Sequence, residues 1–122
     1  MILEKEFVFD SAHFLPNVPP EHKCRRLHGH TYRVVVGVSG EINEKMGWLV
    51  DFGDVKRVVS PIIERLDHQL LNSIPGLENP TAENIAMYIY DAVKKDIDSV
   101  DFIKIYETPT SSCVYKGKEN RP

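Results

Sequence analysis

The sequence lacks an excess of positive charge, any long apolar run and any Gly-x-Gly-x-x-Gly fingerprint. Each absence removes a class of function. Lys and Arg number 15 against 18 Asp and Glu, for a net charge of -3. A general nucleic-acid binder would carry a basic surplus, so no nucleic-acid partner is expected, although a local cationic pocket for a small anion stays open. No apolar stretch approaches the ~20 residues of a membrane span, so no membrane partner is expected either. The opening Met1-Ile2-Leu3-Glu4-Lys5-Glu6 carries acids where a secretory leader carries bases, and no apolar segment follows it. These features predict a cytoplasmic protein. Cysteine is scarce, with Cys24 and Cys113 the two present, and in that compartment they are not expected to form a structural bridge. Without the glycine fingerprint there is no usual seat for a nicotinamide or flavin.

What is present suffices for one domain spanning residues 1–122, with 42% hydrophobic residues to build its core. Leu3 to Ala12 alternates, with Leu3, Lys5, Phe7 and Phe9 on one side and Glu4, Glu6, Val8 and Asp10 on the other, which predicts a strand. Pro16 to Lys23 holds three prolines and must be a loop. Thr31 to Val38 is rich in β-branched residues and predicts a second strand. Gly40 to Gly47 reads as a turn. Val55, Val58, Val59, Ile62, Ile63 and Leu66 follow helical spacing, with Asp51 or Asp54 as the cap. Pro61 inside that run predicts a kink or a late start. A second helix is expected from Thr81, as N-cap, to Lys94-Lys95, followed by strands over Phe102–Tyr106 and Ser112–Lys116. The polar tail Gly117–Pro122 is expected to fray. The order ββααββ predicts an α+β domain, a four-stranded antiparallel sheet with two antiparallel helices on one face. Apolar residues on both sides of Val34-Val35-Val36 predict self-association over the second face and the sheet edges.

The densest chemistry lies in Cys24-Arg25-Arg26-Leu27-His28-Gly29-His30. Residues i and i+2 of an extended chain share a face, so His28 and His30 point together. A hairpin through the proline-rich loop would bring His13 to the same sheet end. Three imidazoles with a fourth position free are the donor set of catalytic Zn²⁺. The plainer alternative is an ordinary polar strand surface. His22, in the loop, reads as solvated. Cys24 stands among Lys23, Arg25 and Arg26, cations that favour thiolate, whereas Cys113, inside a strand, reads as a packed thiol. Lys23, Arg25 and Arg26 suit a triphosphate or simply a solvated basic face. Asp67 beside His68 could set a tautomer and hold a proton, but only where the chain is irregular. Glu107 at a strand end could accept a pair of parallel N–H bonds from a 2-amino-pyrimidinone edge.

These segments, together with Phe9-Asp10-Ser11-Ala12-His13, Gly47-Trp48-Leu49-Val50-Asp51-Phe52, Leu66-Asp67-His68, Asn79-Pro80-Thr81-Ala82-Glu83-Asn84 and Tyr106-Glu107-Thr108, resemble the 6-pyruvoyl-tetrahydropterin synthase superfamily. Within it they are most similar to the 6-carboxy-5,6,7,8-tetrahydropterin synthase branch of queuosine (7-deazaguanine) biosynthesis. Three residues separate Cys24 from His28-Gly29-His30, as in that branch, whereas the pyruvoyl branch usually has a longer gap and a folate-pathway branch has glutamate in place of the cysteine. The resemblance implies the tunnelling fold (T-fold), trimers or hexamers that close into a barrel, and active sites between subunits. It implies Zn²⁺ on His13, His28 and His30, and proton transfer by Cys24, Asp67 and His68. It also implies a pterin anchored by Glu107 with Thr81 and Thr108 as neighbours. The implied reaction converts 7,8-dihydroneopterin triphosphate to 6-carboxytetrahydropterin, acetaldehyde and triphosphate. The alternatives are a 6-pyruvoyl-tetrahydropterin synthase, which keeps the side-chain carbons, and a non-catalytic, zinc-stabilised oligomer that binds a pterin or purine.

Overall fold

The computed structural model describes residues 1–118 and 121. Strand β1 (Ile2–His13) pairs with β2 (His28–Ser39), then helices α1 (Phe52–Leu66) and α2 (Ala82–Lys94) precede β3 (Val100–Thr108) and β4 (Ser111–Tyr115). The four strands form one antiparallel sheet in the order β1-β2-β3-β4. Among the described residues no helix is long and apolar enough to cross a membrane.

Alternation along the strands decides which side is covered. Phe9, Tyr32, Val34, Val36, Ile103 and Ile105 are buried and meet Val55, Val59, Leu66, Ile85 and Ile89 of the helices. Phe9 stacks on Tyr32 with ring centroids 4.8 Å apart. Burying an aliphatic or aromatic side chain of this size stabilises by about 1.5–3 kcal/mol each. The opposite face is mixed rather than apolar. By register, Glu6, Val35, Lys104 and Val114 form one cross-strand row, and Val8, Arg33, Tyr106 and Ser112 the next. Arg33 bonds Glu6 at 2.7 Å and lies 4.1 Å over the Tyr106 ring. Val8 and Val114 are exposed there.

Helix α1 starts at Phe52, capped by Asp51, whose carboxylate accepts from the Gly53 N–H at 2.9 Å. The late start expected from Pro61 does not occur. Pro61 lies on the exposed side, so the carbonyl its missing N–H would have served can turn to water. The expectation of a frayed tail holds poorly at Arg121, which bonds Asp91 at 2.6 Å and lies 5.4 Å from the Tyr115 ring centre. Glu119, Asn120 and Pro122 of that tail lie outside the described residues.

Candidate metal centre and active site

Register places the three histidines. His13 lies opposite His28, and Ser11 opposite His30, so all three imidazoles leave the helix-covered face at one sheet end. His13 is 1% exposed. Its Nδ1 lies 2.8 Å from the Pro80 carbonyl, and His28 Nδ1 lies 2.7 Å from the Arg26 carbonyl. A carbonyl can only accept, so each Nδ1 carries the proton and each neutral ring presents a bare Nε2 lone pair. Those two Nε2 atoms face each other at 3.0 Å, a contact without a proton to share. His30 Nε2 is a buried nitrogen with no hydrogen-bond partner. One donor atom from each of the three rings lies within 4.8 Å of the others. Two nitrogens on one tetrahedral zinc stand roughly 3.3 Å apart, so these residues fit a metal ion. Burial foremost holds the pKa of both His13 and His30 below 6.5, which favours the neutral, ligating form. The three histidines could thus hold a metal ion.

Asp67 and His68 lie on the free edge of β1. The chain leaving α1 runs beside that strand, with Asp10 N–H donating to Asp67 Oδ1 at 2.9 Å, His68 N–H to the Asp10 carbonyl at 2.6 Å, and Ala12 N–H to the Gln69 carbonyl at 2.9 Å. The Ser11 hydroxyl donates to the Leu66 carbonyl. This docking holds His68 at a φ of 56°, in the left-handed region. The irregular backbone lets adjacent side chains meet, with His68 Nδ1 3.0 Å from Asp67 Oδ2. The bond to Asp67 raises the His68 pKa above 6.5, and the Asp10 N–H, followed by His68, lowers that of Asp67 below 3.8.

Open grooves flank the histidines. One, of about 630 Å³, is lined by Asp10, Gly29, His30, Thr31, His68 and Gln69. A second, of about 470 Å³, takes in His30, Arg33, Glu107 and Thr108. A third, of about 350 Å³, joins Thr81, Glu83, Glu107 and Cys113. Glu107 reaches the second and third of these because it is the extra residue of a β-bulge: Tyr106 pairs with Ser112 and Thr108 with Ser111, leaving Glu107 unpaired between them. Its Oε1 lies 3.8 Å from His30 Nε2. Burial, with Glu83 and Glu107, pushes the Cys113 thiol up to about 11, so this side chain stays a neutral wall.

Cys24 sits on a short 3-10 turn, Lys23–Arg25, before β2. Its carbonyl accepts from Leu15 N–H at 2.8 Å, and its N–H donates to His22 Nδ1 at 3.1 Å. His22, read as solvated, is exposed and serves as the cap of this turn. Arg25 directs a guanidinium N–H to the Val18 carbonyl at 2.8 Å, which braces the proline-rich loop. Lys23 and Arg26 are exposed. The structure therefore gathers His13, His28, His30 and Glu107 directly, while Cys24 and the Asp67–His68 pair stand on separate segments. Sequence reading did not find the Pro80 and Arg26 carbonyls, because main-chain acceptors leave no mark in residue type.

A family profile described as 6-pyruvoyl tetrahydropterin synthase matches residues 2–118. The chain belongs to that family. A 6-carboxy-5,6,7,8-tetrahydropterin synthase of Synechocystis is 38% identical over 93% of this chain and 92% of its own length. A dihydroneopterin monophosphate aldolase of Pyrococcus furiosus is 40% identical over 73% of this chain and 71% of its own. The 6-pyruvoyl tetrahydropterin synthase of Caenorhabditis elegans superposes with a TM-score of 0.90 at 25% identity, covering 97% of this chain and 96% of that one. Family membership and the T-fold agree with the sequence reading.

Proposed function

We propose that this chain is a zinc-dependent 6-carboxy-5,6,7,8-tetrahydropterin synthase, a single T-fold domain acting in the cytoplasm in queuosine biosynthesis. It would convert 7,8-dihydroneopterin triphosphate to 6-carboxytetrahydropterin, acetaldehyde and triphosphate. The observation that carries this reading is the convergence of bare imidazole nitrogens beside the Glu107 carboxylate, in a chain similar to relatives bearing that name. His13, His28 and His30 would hold the zinc. Bound there, zinc would supply Lewis-acid polarisation of the substrate's side-chain oxygens.

The remaining work falls to the chain itself. Glu107 accepts two parallel hydrogen bonds from the ring N–H and amino group of the pterin, which fixes the ring against rotation. Thr81 and Thr108 line the cavities on either side of that carboxylate. Cys24 accepts a proton from the substrate's side chain. Asp67 keeps His68 Nδ1 protonated, and the exposed Nε2 of His68 exchanges a proton with substrate. Lys23 and Arg26 attract the triphosphate as exposed cations. Self-association into trimers or hexamers would place the active sites between copies, as the family resemblance implies. The uncovered sheet face with exposed Val8 and Val114 supports such assembly.

The test is incubation with dihydroneopterin triphosphate, assaying acetaldehyde and triphosphate together. Both products in equal amount are expected. Triphosphate without acetaldehyde identifies a 6-pyruvoyl-tetrahydropterin synthase instead, and tight pterin binding without either product identifies a binding oligomer. Turnover confined to the monophosphate substrate would favour the aldolase reading that the Pyrococcus relative's name suggests.

A further inference from the structure

Two asparagines outside the proposed machinery hold the two segments that fix His13, the chain that follows it and the loop that supplies its acceptor. Asn72 lies on the 3-10 turn Leu71–Ser73 and binds both main-chain groups of Phe14, the residue after His13. Phe14 N–H donates to Asn72 Oδ1 at 3.0 Å, and Asn72 Nδ2 donates to the Phe14 carbonyl at 2.8 Å. A side-chain amide thereby replaces the neighbouring strand that β1 lacks at its end. Nδ2 also approaches the Glu78 carbonyl at 3.4 Å, in the loop leading to Pro80. Asn84, at the third position of α2, donates through Nδ2 to the Asn79 carbonyl at 2.8 Å. Its N–H donates to Thr81 Oγ1 at 3.1 Å, while Thr81 N–H donates to the same Asn79 carbonyl at 2.9 Å. Residues 79–81 are thus closed on both sides of Pro80, whose carbonyl receives His13 Nδ1–H.

We infer that Asn72 and Asn84 are positioning residues for the metal centre, setting the orientation and tautomer of His13 through Phe14 and the Pro80 carbonyl. The inference rests on the reading of His13, His28 and His30 as metal ligands. The physical ground is that a ligating imidazole offers one nitrogen only when the other is held by an acceptor, and that loss of such a partner weakens metal binding about 10–100-fold. Asn72 fixes the backbone that carries the ring, and Asn84 fixes the acceptor that selects its tautomer.

Asn84→Asp separates positioning from folding. A carboxylate in the first turn suits the positive end of α2, so the helix persists, yet it cannot donate to the Asn79 carbonyl. Asn72→Asp likewise keeps an acceptor for Phe14 N–H and loses the donor to its carbonyl. Zinc affinity is measured by competition with a chromophoric chelator, alongside the melting temperature of the metal-free protein and ¹⁵N NMR of the imidazole rings. Each variant is expected to bind zinc about 10–100-fold more weakly, with metal-free melting little changed. In the metal-free parent, His13 is expected to carry its proton on Nδ1, and Asn84→Asp to move part of the population to Nε2. Variants that bind zinc as tightly as the parent, or a parent His13 protonated on Nε2, overturn the inference. A parent that binds no zinc overturns the metal reading, and the His13 tautomer then decides the positioning on its own. Should one variant not fold, the other decides the inference by the same zinc and tautomer measurements.

Discussion

His13 and His68 are the same side chain placed in opposite surroundings. His13 is buried, bonded to a carbonyl and crowded by two further imidazoles, and its pKa falls. His68 is exposed, bonded to a carboxylate on a left-handed residue, and its pKa rises. Burial outweighs the pull of the Glu107 charge at His13 and favours a neutral ring with its lone pair available, whereas a directly bonded carboxylate at the surface favours the protonated ring of His68. The first environment suits a metal and the second suits a proton. The fold builds the first inside strand pairing and the second on a docked segment along the sheet edge.

Removing a member of the buried set should break the contrast most severely. His28→Ala is expected to take zinc content from about one ion per chain to background and to abolish turnover. Elemental analysis checks this, and full zinc content in that variant would contradict the ligand assignment. Cys24→Ala sharpens the division of labour, since it should lower kcat on the order of 10²–10⁴-fold while zinc content stays at the parent's level. Steady-state kinetics beside metal analysis reads both, and undiminished activity would remove the thiol from the mechanism.

Asp67→Asn addresses the exposed set. Asn can still accept from Asp10 N–H, so the segment stays docked, but the charge that raises the His68 pKa is gone. NMR titration should find His68 moved down toward 6.5, with activity reduced by about 10²-fold. An unmoved His68 would mean that Asp67 does not tune it. The smallest effect concerns the metal-free protein. His13 and His30 have folded pKa values below 6.5, so as pH falls through 6.5 the unfolded chain takes up protons the folded one refuses. Stability should therefore decline as pH drops from 6.5 toward those lowered values, as urea unfolding at stepped pH would register. His68 pulls the other way, since its raised pKa adds stability below 6.5 that is lost as pH climbs through the folded value.

Much of this was legible in residue order. Alternation in Leu3–Ala12 and the β-branched run near Val34 identified both strands, and the His-x-His spacing with His13 one hairpin away located the imidazole cluster. That worked because strand parity and hairpin pairing are local rules. What escaped depends on tertiary contact. The bulge that frees Glu107 arises from how β3 meets β4. The positive φ of His68 follows from docking on β1. The Pro80 carbonyl became a partner for His13 only once α2 was seated. Pro61 misled for the converse reason: within an expected helix it argued for a kink or a late start, yet α1 begins at Phe52 and its exposed side tolerates the ring.

Strand pairing as the means of assembling the imidazoles has a consequence for how the gene could change. The span from 14 to 27 joins two antiparallel strands without setting their alignment, so lengthening it should leave the cluster intact. Adding or deleting one residue inside His28–Ser39 would instead turn a whole run of side chains to the opposite surface, dissolving core and cluster in a single step. Drift in this lineage should accumulate as longer connections between unaltered strands.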